Sequence, residues 1–221
     1  FNIRAFKIYN GQFYFADFGN CRIRKIDLST NIITTVAGTG VTSYSGDGGL
    51  AIDAGISRVQ GFGVDNYGNM FLSANQSGAS YKMRKIDVNT GIISLYAGDG
   101  TAGNSGDGGL PLDARIGLAY QIEFDSQNNM YFTSYEHGYV RRIDYQTQIV
   151  STIMTGISVC TDLAIDVNDN VYEIGWDHKA RKWDKTTNEV TIIAGAGKSN
   201  NSAVGQQDPA IGDGGLATDA L

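Results

Sequence analysis

The segment Arg22-Ile23-Arg24-Lys25-Ile26-Asp27 returns as Lys82-Met83-Arg84-Lys85-Ile86-Asp87, as Tyr139-Val140-Arg141-Arg142-Ile143-Asp144, and as Lys179-Ala180-Arg181-Lys182-Trp183-Asp184. Recurrence of this kind restricts a chain to repeat architectures, in which each unit buries its apolar face against a neighbour like itself. A turn and an aromatic-rich strand precede each copy: Asn10-Gly11-Gln12-Phe13-Tyr14, Gly68-Asn69-Met70-Phe71-Leu72, Asn128-Asn129-Met130-Tyr131-Phe132 and Asp169-Asn170-Val171-Tyr172. Further strand-like segments lie upstream, as at Gly63-Val64-Asp65, and downstream, as at Ile92 to Tyr96. Each unit therefore reads as four short strands. The closing Asp stands at 27, 87, 144 and 184, at intervals of 60, 57 and 40, so the bare unit is the shortest of these. A four-stranded unit of about 40 residues is the blade of a propeller, and no sustained apolar period near 3.6 supports helical repeats. The expected fold is all-β, with blades over about 4–40, 59–100, 118–156 and 157–198.

The longer intervals hold related insertions over 41–58 and 101–117, with a third at 199–221. Ser45-Gly46-Asp47-Gly48-Gly49-Leu50 matches Ser105-Gly106-Asp107-Gly108-Gly109-Leu110, and Gly212-Asp213-Gly214-Gly215-Leu216 repeats the core of both. After Met154-Thr155-Gly156 the chain runs straight into the next unit. One blade does without an insertion, so the insertions read as decoration on the scaffold.

Ala16-Asp17-Phe18-Gly19-Asn20-Cys21-Arg22-Ile23-Arg24-Lys25-Ile26-Asp27, followed by Thr34-Thr35-Val36-Ala37-Gly38, resembles the signature of NHL repeats. Tyr44-Ser45-Gly46-Asp47-Gly48-Gly49 is similar to the linker of extracellular NHL arrays. In units three and four the match departs, where Ser134-Tyr135-Glu136-His137 and Gly175-Trp176-Asp177-His178 replace the Asp-x-Gly-Asn turn. Trp183-Asp184 occupies the Ile-Asp slot of the other copies and is read as a substituted NHL position. The resemblance implies a propeller that usually closes with six blades, of which four are visible. The two ends of the chain are in phase with the repeat. A piece of a longer array, a ring closed within the chain and copies joined head to tail all remain open.

The formal charge of −6 gives no general attraction for phosphate backbones, so no nucleic-acid partner is expected. No apolar run is long enough to span a membrane as a helix. Cys21 and Cys160 fit neither a disulfide framework nor a metal knuckle, and their pairing stays open. The acceptor triplets at Asn75 and Asn200 suit a glycoprotein on the secretory route, and the expected location is extracellular or at the cell surface.

Only His137 and His178 offer neutral-pH bases or nitrogen ligands, too few for the several histidines of a zinc-using NHL-like lyase. Asp47 with Asp53, Asp107 with Asp113 and Asp213 with Asp219 are weak calcium candidates, because two carboxylates per loop leave most of a calcium shell unfilled. No cofactor or metal is expected. Arg24, Arg84, Arg141 and Arg181 read as structural ion-pair residues, with Asp17, Asp65, Asp125 and Asp166 recurring nearby as partners. Tyr44, Tyr135, Tyr139 and Trp176 stand in loops, where aromatic residues often contact protein or glycan. The leading expectation is a non-catalytic scaffold for protein or glycan interaction. A subunit that assembles head to tail into a filament is one alternative, and a propeller enzyme, either a metal-dependent lyase or a lactonase-like hydrolase, is another.

Overall fold

The computed structural model describes residues 2–74, 81–195 and 215–219. Blade 1 comprises β1 (Ile3–Tyr9), β2 (Gln12–Asp17), β3 (Arg22–Asp27) and β4 (Ile33–Ala37). Blade 2 comprises β5 (Val59–Val64), β6 (Met70–Ala74), β7 (Met83–Ile86) and β8 (Ile93–Ala97). Blade 3 comprises β9 (Ala119–Phe124), β10 (Met130–Ser134), β11 (Tyr139–Ile143) and β12 (Val150–Met154). Blade 4 comprises β13 (Cys160–Ile165), β14 (Val171–Gly175), β15 (Ala180–Trp183) and β16 (Val190–Ala194).

Within every blade the strands pair antiparallel in chain order, which is the meander of a β-propeller. The innermost strands β5 and β9 meet in parallel at Phe62 and Gln121, joining blades 2 and 3. Gly61 permits that approach, since a Cβ there would lie 2.3 Å from the Ala119 carbonyl oxygen. Apolar residues pack between successive blades. Ala16, Ile23 and Ala37 of blade 1 meet Phe62, Leu72 and Ile86 of blade 2 in one core cluster. Similar layers join blades 2 and 3 and blades 3 and 4.

The recurring acidic residues make turns. Asp27 accepts hydrogen bonds from the Ser29 and Thr30 amides, and Asp87, Asp144 and Asp184 repeat this geometry before their own β3-equivalent turns close. On the preceding hairpins, Asp65 accepts from the Tyr67 and Asn69 amides and from the Asn69 side chain, and Asp125 does the same with Gln127 and Asn129. These side chains are committed to their own turns. They are therefore not the partners of the repeat arginines, as the sequence suggested.

Asp47 of the first insertion accepts from Arg84 Nε at 2.8 Å, while the same guanidinium donates to the Gly55 and Ser45 carbonyls at 2.9 Å each. Tyr44 lies beneath it, 4.7 Å from the guanidinium carbon to the ring centre. Arg141 holds the second insertion alike, through Asp107 and the carbonyls of Arg115 and Ser105. Backbone bonds add to the hold: Gly48 and Gly49 exchange hydrogen bonds with Ile93, and Gly108 and Gly109 with Val150. The two insertions at 41–58 and 101–117 are thus clamps that fasten blade 1 to the outer strand of blade 2 and blade 2 to that of blade 3, and the reading of them as decoration is corrected. Arg181, with no insertion before its blade, pairs with Glu173 and Asp177 of blade 4. Arg24 differs from the other three. It donates to the Thr35 hydroxyl at 3.0 Å and has no acidic partner among the described residues.

Cys21 and Cys160 are buried free thiols. Asn75 and Asn200 lie outside the described residues, as does Asp213. Among the described residues, no helix is long and apolar enough to cross a membrane.

Candidate functional site

The β2–β3 turns and the segments leading into the innermost strands share one end of the blades, so residues distant in sequence converge around the propeller axis there. The innermost strands β1, β9 and β13 enclose a cavity of about 470 Å³. Its polar lining is Arg4 and Lys7 of β1, Gln121 and Glu123 of β9, and Asp162 of β13. Lys7 and Glu123 form a half-buried ion pair that spans from blade 1 to blade 3. Residues 4, 7, 121, 123 and 162 come together because they lie on the central strands β1, β9 and β13, with Phe6 and Ile8 of β1 and Leu163 of β13 supplying apolar lining beside them.

An arc of aromatic and cationic side chains borders the mouth. The Arg4 and Arg58 guanidinium carbons stand 5.0 and 5.6 Å from the Phe18 ring centre. Tyr120 stacks on Tyr135 with ring centres 4.2 Å apart and planes 15° apart. Tyr135 in turn meets Trp176 edge-on at 6.3 Å, and Trp176 is 62% exposed. Burial pushes the Tyr120 hydroxyl above its ordinary range, favouring its protonated, hydrogen-bond-donating form. Flat aromatic surfaces beside guanidinium groups suit a ligand that carries both a ring and carbonyl or carboxylate oxygens.

The residues singled out from sequence are distributed differently. Tyr135 and Trp176 join the arc, whereas Tyr44 is a plate under Arg84, its hydroxyl pushed up to about 12 chiefly by burial. His137 and His178 are exposed in the equivalent turns of blades 3 and 4 but one position apart, His178 matching Gly138 and sharing its left-handed conformation with φ of 57°. Asp47 is engaged by Arg84, and Asp107 by Arg141 and the Thr152 amide, while Asp53, Asp113 and Asp219 stand in separate short 3-10 turns. Among the described residues no group of three His, Cys, Asp or Glu side chains comes together as a metal shell. Sequence reasoning passed over Arg4, Lys7 and Glu123 because it sought histidine bases. The available signal was the run of charged residues within strands assigned to the propeller centre.

No family model matches the chain, and no curated protein is similar to it at a significant level. Solved structures do resemble it. A catalytically inactive virginiamycin B lyase from Staphylococcus aureus with quinupristin superposes at TM-score 0.57 and 13% identity, over 86% of this chain and 54% of that one. The selenomethionine-substituted lyase from the same organism gives 0.54 and 14%, over 86% and 69%. A streptogramin B lyase gives 0.53 and 13%, over 86% and 67%. The chain thus spans little more than half the length of the first of these. The likeness establishes a propeller-like fold. It also corrects the expectation of a non-catalytic scaffold for protein or glycan contact: these three similar structures are lyases, and in this chain an open cavity with acidic and basic groups lies between the innermost strands.

Proposed function

We propose that the chain carries the axial site of a propeller enzyme that acts on a ring-bearing carbonyl compound, by elimination or by opening an ester. The observation that carries this reading is the Lys7–Glu123 pair beside Arg4 in a cavity of small-molecule size, bordered by the Tyr120, Tyr135 and Trp176 arc. In an elimination, the Glu123 carboxylate takes the proton from the carbon next to the carbonyl. The electron pair of that C–H bond forms the new double bond as the adjacent C–O bond breaks, and Lys7 donates a proton to the departing oxygen. Arg4 faces the carbonyl oxygen, where negative charge develops. The aromatic arc orients the ring of the substrate.

Quinupristin, present in one of the similar structures, is the first compound to try, with simpler aromatic lactones beside it. Loss of substrate followed by mass spectrometry tests the reading. Turnover should fall by about a hundredfold or more in Lys7→Met and Glu123→Gln, with the fold retained. Binding and turnover that survive both substitutions overturn it.

The blades themselves we assign to the NHL type. That assignment is supported by the arginine of β3, β7, β11 and β15 and by the Asp that closes each following turn.

A further inference from the structure

Away from the axis, the junction between blades 2 and 3 holds a cavity of about 130 Å³, at the end of the sheets where β5 turns into β6 and β11 into β12. Phe71 and Tyr96 of blade 2 and Phe124 of blade 3 wall it, with the Phe71 ring centre 4.9 Å from that of Tyr96 and 5.1 Å from that of Phe124. Asp65 and Lys85 bring opposite charges to it, and Tyr145 borders it.

The two flanking junctions fill the corresponding place with the chain itself. Strand register sets the correspondence: Asp65 follows the Val64–Met70 pair, as Tyr9 follows Ile8–Phe13 and Asp125 follows Phe124–Met130. Between blades 1 and 2, Tyr9 stands where Asp65 does, and its ring lies so close to Gly68 that a Cβ there would come within 2.9 Å of it. Between blades 3 and 4, Lys185 stands where Tyr145 does, since their amides donate to the equivalent side chains of Asn170 and Asn129. The Lys185 ammonium reaches Asp169 at 2.7 Å and Asp125 at 3.4 Å. One junction on from the cavity, the counterpart of Asp65 therefore holds an ammonium.

Asp65 is equipped alike and less occupied. It is 3% exposed, and its Oδ1 takes the Tyr67 and Asn69 amides. Among the described residues its Oδ2 takes the Asn69 side chain alone, whereas the same oxygen of Asp125 takes Asn129, the Tyr131 hydroxyl and Lys185. Phe71, in the register position of Tyr131, brings no hydroxyl. Lys85 is spare in the same way. Its counterparts Arg142 and Lys182 pair with Asp144 and Asp184, but among the described residues Lys85 has no acidic partner, and its Nζ stands 6.0 Å from the Phe71 ring centre. Burial above all, with the Asp65 carboxylate adding to it, pushes the Tyr96 hydroxyl up to about 12, so that wall stays neutral.

We propose that this cavity binds a small zwitterionic amino acid, with its ammonium between Asp65 Oδ2 and the aromatic walls and its carboxylate on Lys85. The ammonium takes the place that Lys185 takes at the next junction, and aromatic faces beside a carboxylate favour such a cation. A cavity of about 150 Å³ accepts a molecule the size of benzene, which limits the ligand to about six heavy atoms, as in glycine or β-alanine. The site is separate from the axial cavity and does not rest on the reading given to it.

Isothermal titration calorimetry with glycine and β-alanine tests this, beside methylamine, which lacks the carboxylate, and acetate, which lacks the ammonium. At least one amino acid should bind with a millimolar or lower dissociation constant, at least about tenfold more tightly than methylamine or acetate, and should shift the ring resonances of Tyr96 and Tyr145. Tyr145→Lys, at a position 44% exposed, carries in the ammonium of the next junction and should abolish binding with far-UV circular dichroism unchanged. Lys85→Met should weaken amino-acid binding by about tenfold and leave methylamine as it was. Glu123→Gln, in the axial cavity, should leave binding as in the parent. No binding of either amino acid at concentrations on the order of 10 mM overturns the proposal. So does binding that survives Tyr145→Lys, which places the ligand elsewhere, or methylamine that binds as tightly as the amino acids, which leaves Lys85 no part.

Discussion

Replacing Arg84 by Ala should remove the fastening between blades 1 and 2, and the structure sets the size of the effect. Arg84 is 2% exposed and directs two hydrogen bonds at backbone carbonyls, those of Ser45 and Gly55. A hydrogen bond from a charged donor contributes about 1.5 kcal/mol or somewhat more, so these two account for roughly 3 kcal/mol. Asp47 is 36% exposed, and the ion pair itself adds no more than about 1 kcal/mol. The expected loss is therefore about 3–4 kcal/mol, which for a domain of this size lowers the melting temperature by roughly 10 °C. Urea unfolding followed by circular dichroism and tryptophan fluorescence measures it. Asp47→Asn should cost under about 1 kcal/mol, because the carbonyl bonds survive. Arg24→Ala should also cost under about 1 kcal/mol, since among the described residues its side chain meets the Thr35 hydroxyl and no acid or backbone carbonyl. An Arg84→Ala loss no larger than that of Asp47→Asn would refute the reasoning, because it would mean that the buried carbonyl bonds hold nothing.

Replacing Thr39 to Ile56 with a short turn should unfold the outer edge of blade 2, since Ile93 would lose its cover and Arg84 all its acceptors; hydrogen exchange that leaves the β8 amides as protected as in the parent would contradict this. Neither thiol should react with a disulfide reagent at pH 8 until the chain is unfolded, because Cys21 and Cys160 are buried and burial, reinforced by the Glu173 carboxylate, pushes the Cys160 thiol well above its ordinary range; labelling of Cys160 in the native protein would argue against that packing. Acid should unfold the protein late. Hydrogen bonds, led by those from Ser29 and Asn170, hold the carboxyls of Asp27 and Asp166 low, that of Asp166 to about 2. A carboxyl depressed in the folded state contributes stability above its unfolded value near 4, and that stability drains away as pH falls toward about 2. An unfolding midpoint above about pH 5 would show that other groups govern the transition.

The blades were legible because their determinants are local. Turn residues such as Asn10-Gly11 and Asp65 to Asn69 act over two to four positions, and the antiparallel meander follows once four strands per unit are recognised. The ion-pair partners were not legible for the opposite reason. Asp47 is 37 residues from Arg84, and nearer acids such as Asp65 offered themselves, but their lone pairs are taken by turn amides. The axial site was harder still. Lys7 and Glu123 are 116 residues apart and meet only because strands from different blades crowd one axis.

The arginine of each blade records how that blade is joined to the one before it. Where an insertion arrives, the residue opposite the arginine can be apolar, because Asp47 or Asp107 brings the compensating charge from outside the blade. Where none arrives, the charge must be carried internally, and Glu173 appears although burial pushes its carboxyl up and makes it a costly residue to place there. The absence of an insertion before blade 4 and the presence of Glu173 within it are thus one structural solution seen at two positions. In blade 1 the residue opposite Arg24 is Phe15, as apolar as Leu72 and Phe132, and among the described residues Arg24 meets the Thr35 hydroxyl rather than an acid.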